Sequence, residues 1–300
     1  MLRSPAARVS LLFLVALTAA AIFADEAVRL KPMLSIYIDA EGNGIQGPQG
    51  IGCDGGSIVV ADTMNGRILI YDVGIESIEP RGEVSSPQLA FPLRVSFLSN
   101  GDILVLDGRS RRIGRVTKEG ELRGFLEPGD DDGESFTPRS FAVGPDDRVF
   151  VLDVGGSRLL VFDPSGTVER SIAFPPEAGF LSDLAVDSRG DVYAIDSVER
   201  RVHVARRNDE ALSPLTPPLL EDVDFPTSIA VDEEGRLFVV DEYGGGVVIL
   251  GRDGSYRGRQ LRMGWKEGYV RYPADICLDG RGALFLADRG NSRVQMFSVR

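Results

Sequence analysis

The sequence predicts an all-β fold, a six-bladed β-propeller with four antiparallel strands per blade. Three observations predict it: a short motif that recurs six times, a strand-and-turn pattern inside each copy, and one spare strand upstream that completes the count. The motif is an apolar triplet closed by aspartate, as in Val-Val-Ala-Asp62, Leu-Val-Leu-Asp107, Phe-Val-Leu-Asp153, Tyr-Ala-Ile-Asp196, Phe-Val-Val-Asp241 and Phe-Leu-Ala-Asp288. The aspartates lie 45, 46, 43, 45 and 47 residues apart. A second mark stands fifteen residues before them, at Pro92, Pro138, Pro226 and Pro273, with Leu181 in the fourth copy and Pro48 one residue closer in the first. A repeat of about 40–45 residues built of strands is the size of one propeller blade.

The chain opens on Arg3 and Arg8, followed by an uncharged run over residues 9–24. Sixteen residues fall short of the roughly 20 that span a bilayer. A basic start, an apolar centre and small residues such as Ala19-Ala20-Ala21 read as a signal peptide over residues 1–24. The expected destination is outside the cytoplasm, secreted or periplasmic, with membrane anchoring if the segment stays uncleaved. Residues 25–32 read as a linker, and the propeller as residues 33–300.

Within each copy an apolar first strand follows the proline, as in Ile229-Ala230-Val231. A Gly turn such as Glu233-Glu234-Gly235 leads to the second strand, which ends at the aspartate. A tight turn enters a third strand, such as Val247-Val248-Ile249-Leu250, and another Gly turn precedes a weaker fourth. This is the pattern of short antiparallel strands. The sixth copy ends after its third strand. Residues 33–38 supply an unassigned strand, and pairing it there closes the ring and removes an exposed edge.

Composition narrows the function. With 33 basic and 45 acidic residues the net charge is −12, against the basic face that nucleic acid requires. One histidine and two cysteines exclude a His-rich metal centre, a zinc finger and a disulfide scaffold. After the leader, nothing else is apolar enough to span a membrane, and a monomer is expected.

The segments Ala61-Asp62-Thr63-Met64-Asn65-Gly66-Arg67-Ile68 and Ala287-Asp288-Arg289-Gly290-Asn291-Ser292-Arg293-Val294, each led by its proline, resemble the NHL repeat. The resemblance covers residues 33–300 and implies a six-bladed propeller. It leaves activity open, because such propellers include RNA- and protein-binding modules, an amidating lyase and cousins that hydrolyse lactones and esters.

Five residues after most blade aspartates stands an arginine, giving Asp62 with Arg67, Asp107 with Arg112, Asp153 with Arg158, Asp196 with Arg201, and Asp288 with Arg293. A bidentate pair across each hairpin is the expected role, since near-universal repetition suits structure better than chemistry. Asp241 has Gly246 at that position and is expected to lack the partner.

A ligand is expected at the channel mouth, built by the residues after each proline and by the turns between second and third strands. Arg94, Arg109, Arg139 and Arg289 suit carboxylates or phosphates there. Asp183 and Asp275 are the candidate metal ligands. The acidic run over residues 127–134 departs from the spacing of an EF-hand loop and reads as solvated charge. Trp265, Tyr269 and Tyr272 are expected to fill the gap before the last blade.

His203 sits inside a third strand, away from the mouth, so neither the lyase-type histidine zinc site nor a Ser-His-Asp set is supported. The leading reading is a scaffold that binds a protein, peptide or glycan on its loop face and needs no cofactor. The alternative is a calcium-dependent hydrolase or lyase of the lactonase-like kind, anchored by Asp183 and Asp275. Cys53 and Cys277 fall on first strands of blades that meet at the ring seam, offset by one register position. They either bridge the seam or point apart.

Overall fold

The structure, a computed structural model, describes residues 28–74, 76–129 and 135–300. The leader over residues 1–24 lies outside the described residues, as does most of the acidic part of the loop over residues 127–134. No helix of the described residues is long and apolar enough to cross a membrane.

Twenty-four strands form six four-stranded antiparallel sheets arranged as a ring. Blade 1 is β2 (Gly50–Cys53), β3 (Ser57–Asp62), β4 (Arg67–Val73) and β5 (Ile78–Val84). Blades 2 to 5 repeat the order from β6 (Pro92–Phe97), β10 (Pro138–Val143), β14 (Leu181–Val186) and β18 (Pro226–Val231), their innermost strands. Blade 6 is β22 (Asp275–Leu278), β23 (Ala283–Asp288), β24 (Arg293–Val299) and, from the other end of the chain, β1 (Leu30–Ile36).

The closing strand starts three residues earlier than expected, inside the stretch read as a linker, and ends at Ile36. The reason is packing. Val28 and Leu30 are buried against Phe238, Val247 and Phe297 between blades 5 and 6, whereas Ile38 is half exposed. The ladder runs from Leu30 opposite Val299 to Ile36 opposite Val294.

The core is divided among the blade junctions. Each of six apolar clusters joins the facing sheets of two neighbouring blades. The second strands are buried on both faces and read as unbroken apolar runs such as Leu237-Phe238-Val239-Val240. Burying one such side chain stabilises by about 1.5–3 kcal/mol, so alternation, the usual mark of a half-buried strand, is absent there.

The cysteines are joined. Cys53 and Cys277 form a disulfide between the innermost strands of blades 1 and 6, with Cα atoms 5.9 Å apart and a sequence separation of 224. The one-position offset does not separate them, because the two strands belong to different sheets that face one another across the seam.

The repeated aspartates share one contact in all six blades. Each accepts a backbone N–H from the segment that leads into its own blade: Gln46 to Asp62 at 2.7 Å, Phe91 to Asp107 at 2.7 Å, Thr137 to Asp153 at 2.8 Å, Phe180 to Asp196 at 3.0 Å, Phe225 to Asp241 at 2.9 Å and Arg271 to Asp288 at 2.7 Å. The arginine partner is less regular than expected. Arg67, Arg158 and Arg293 pair with their hairpin aspartates at 2.8, 3.1 and 2.8 Å. Arg112 instead lies 3.5 Å from the Phe125 ring centre and pairs with Glu127. Arg201 does not pair with Asp196, because the fully buried His203 fills the adjoining space, Nε2 3.9 Å from that carboxylate. Asp241 does have a cation, supplied by Arg259 of β21 (Tyr256–Gln260) at 2.8 Å. Burial pushes the Asp241 pKa up, and the N–H donors with Arg259 outweigh it, so the carboxyl titrates below its usual range.

Candidate functional site

The first residues of the innermost strands converge on the channel axis. Arg94 on β6 reaches across it, and its Nη1 donates to Asp183 of blade 4 at 2.9 Å and Asp275 of blade 6 at 2.7 Å. Its Nε donates to the Phe141 carbonyl of blade 3 at 3.2 Å. The carboxylates are held from other sides as well. Ser140 Oγ and the Ile229 N–H donate to Asp183 at 2.6 and 3.0 Å. Ser228 Oγ and the Ile51 N–H donate to Asp275 at 2.7 and 2.9 Å. One hydrogen-bonded network therefore touches all six blades.

Burial disfavours the charged form of Arg94, and Asp183 and Asp275 more than offset this, so its pKa rises above the ordinary guanidinium value. Burial also pushes the Asp275 carboxyl up; Arg94 opposes the shift and the nearby Asp183 adds to it. Two carboxylates share one guanidinium, which leaves one excess negative charge at the axis.

The two candidate metal ligands, Asp183 and Asp275, are therefore both part of this network. Asp183 and Asp275 converge with Arg94 between them, and their oxygens accept seven hydrogen bonds, three at Asp183 and four at Asp275. Calcium takes six to eight oxygen ligands, so an ion at these carboxylates would have to displace Arg94 from them. No group of three His, Cys, Asp or Glu suited to a metal occurs among the described residues.

Above the network lies a cavity of about 150 Å³ at the mouth. Arg94, Arg139, Asp183, Asp275 and Arg289 all line it, as do Gln49, Ser182 and Thr227. Arg289 is paired with Glu242 at 2.5 Å. Arg139 lies over the Phe180 ring at 5.4 Å. Arg109 does not join this cavity. It is exposed on the rim, 5.4 Å from the Phe91 ring centre.

The rim carries an aromatic series that sequence reasoning missed as a series. Phe91, Phe180, Phe225 and Tyr272 each stand immediately before the proline position of a blade, and that placement was the available signal. Each is covered by a neighbour. Tyr243 stacks on Phe225 at 4.9 Å and meets Tyr272 edge-on at 6.5 Å. Arg271 lies over both Tyr272 and Trp265, at 5.6 and 5.9 Å. Tyr243 is 56% exposed and Trp265 75%. Trp265, Tyr269 and Tyr272 thus do not fill the gap before blade 6. Val270 fills it, while the Tyr269 carbonyl accepts from Arg293 and Gln295.

Wider hollows occur on the opposite face, between blades 2 and 3 and between blades 3 and 4. Some of their charges are paired, as in Arg115 with Asp102 and Arg148 with Glu169.

Residues 270–297 match the NHL repeat family model. Among curated protein sequences none matches the chain significantly. Solved structures share the fold across nearly the whole chain. A virginiamycin B lyase from Staphylococcus aureus is 15% identical, with a TM-score of 0.61 over 90% of this chain and 99% of the lyase. A gluconolactonase from Xanthomonas campestris is 14% identical, with a TM-score of 0.64 over 91% of this chain and 97% of its own. A PQQ-bound aldose sugar dehydrogenase from Streptomyces coelicolor is 13% identical, with a TM-score of 0.62 over 91% and 98%. At such identities the likeness is one of fold.

Proposed function

For a chain that is an NHL-repeat six-bladed propeller, we propose the role of an exported binding module, without nucleic-acid partners, that takes a protein, peptide or glycan ligand on its mouth face. The observation that carries this is the exposed aromatic group of Tyr243, Tyr272 and Trp265 beside the mouth. Exposed aromatic clusters rimmed by polar groups mark interaction sites more often than isolated apolar residues do. Aromatic rings bring large contact area at low entropic cost. The commitment of Asp183 and Asp275 to Arg94 favours this reading over chemistry at the axis.

Trp265 is the one tryptophan of the chain and reports on the platform directly. Titration of peptide and oligosaccharide libraries, followed by Trp265 fluorescence and calorimetry, should find ligands whose binding is lost in Tyr243→Ala. Binding that is indifferent to Tyr243→Ala and Tyr272→Ala moves the site elsewhere. The names of the fold neighbours suggest the alternative of lactone hydrolysis or lyase chemistry. Calcium-dependent turnover of a lactone by the wild-type protein, abolished in Asp183→Asn, would establish that alternative instead.

A further inference from the structure

The charges around the mouth cavity are matched except at one point. Asp183 and Asp275 are taken by Arg94, and Glu242 is taken by Arg289. Arg139 has no carboxylate within ion-pair distance among the described residues. Its Nε is buried without a hydrogen-bond partner, and so is the Thr227 hydroxyl in the same cavity. Asp183 is near enough to attract Arg139, but its oxygens are engaged by Arg94, Ser140 and Ile229. Burial pushes the Arg139 pKa down, and the repulsion from Arg94 adds to the shift. Buried charges in folded proteins are normally paired, and the guanidinium, 5.4 Å from the Phe180 ring centre, has donors in a fork that suits an incoming anion.

We propose that the mouth cavity binds a free carboxylate group of the ligand, with Arg139 as its cationic anchor and the Thr227 hydroxyl as a further polar contact. The inference rests on the binding reading above and specifies what the centre of that face recognises. A singly charged group suits the site better than a phosphate dianion, because Asp183 and Asp275 line the same cavity. The cavity is small, so the carboxylate enters as the end of a ligand whose remainder passes over the rim towards Tyr243 and Tyr272. A peptide C-terminus and a uronic acid both offer this chemistry.

Calorimetric titration of the intact protein with four probes tests the proposal: N-acetyl-alanyl-alanine, the same peptide with a C-terminal amide, glucuronate and glucose. At least one acid should bind roughly tenfold or more tighter than its uncharged counterpart, as expected for a charge-assisted hydrogen-bonded contact. The acid that binds identifies the source of the carboxylate. Arg139→Gln should remove that preference, whereas Arg81→Gln, the same charge change on the exposed outer strand of blade 1, should preserve it. Thr227→Val gives a second reading should Arg139→Gln fold poorly, with a smaller loss for the acid alone. The proposal is overturned if neither acid binds, if inorganic phosphate binds tighter than both, or if Arg139→Gln binds the acid like wild type. Acid and amide that bind equally, both lost on Tyr243→Ala, overturn the carboxylate and leave the binding module standing.

Discussion

The channel axis and its rim are built from the same residue types to opposite ends. At the axis, Arg94 donates to two carboxylates and a backbone carbonyl of blades 4, 6 and 3, and serines and amides of blades 1, 3 and 5 hold those carboxylates in turn. Arg109 on the rim and Arg139 in the mouth cavity lie near aromatic rings instead, with no carboxylate at ion-pair distance among the described residues. The three arginines hold different positions in the repeat, and each meets a different set of neighbours. What decides the role of each is which side chains surround it.

The largest test of that contrast is Arg94→Met. Removing one partner of a buried ion pair leaves uncompensated charge and costs about 3–5 kcal/mol. Denaturant unfolding should show a loss of that order, and a loss under about 1 kcal/mol would mean that the axis is not structural. Replacing both cysteines by alanine should cost about 2–5 kcal/mol, read as a lower unfolding midpoint that matches wild type under reducing conditions. Asp241→Asn should cost about 2–3 kcal/mol and Arg259→Gln about 1 kcal/mol, since the carboxylate also holds the backbone N–H groups of Asp224 and Phe225. Equal losses would assign the role to the ion pair alone. At the small end, Arg109→Gln should stay within about 0.5 kcal/mol, as for other surface substitutions.

Acidification separates regions in the same way. Burial raises the Asp39 pKa, but hydrogen bonds from Asn43 and Arg67 outweigh it and hold the carboxyl at about 2, below its unfolded value near 3.9. Its contribution is present above pH of about 4 and is lost as the pH falls towards 2. Asp241 has the same sign. Asp275 has the opposite sign, because its folded pKa is raised; its contribution is present below the unfolded value and is lost as the pH rises through the folded one. Melting temperatures between pH 4 and 2 should fall for wild type and fall less steeply for Asp39→Asn.

The blade count, the closing strand and the boundaries of the second and third strands were legible because they follow from local signals repeated six times. The aspartate spacing sets the second strand, and the proline starts the first. Convergence of Arg94, Asp183 and Asp275 on the mouth was legible from their place in the repeat. Their mutual pairing was not, because it links residues 89 and 181 positions apart. The fate of Arg112 and Arg201 depended on single neighbours, Phe125 and His203, that vary from blade to blade. Ring closure by the disulfide hinged on how two sheets face each other, which strand register alone does not fix.

The backbone N–H of Arg29 donates to the carbonyl of Arg300 at 2.8 Å, and β1 lies along β24 inside the same blade. Tension applied between these two residues would peel that single antiparallel ladder open one pair at a time, from Leu30 and Val299 towards Ile36 and Val294. Once it parted, extension would stop at Cys53 and Cys277, since the chain between them, a sequence separation of 224, is shunted by a covalent bond. Pulled in this way, the protein should yield a short first extension and then behave as an inextensible bead, with blades 2 to 5 mechanically screened until the bridge is reduced.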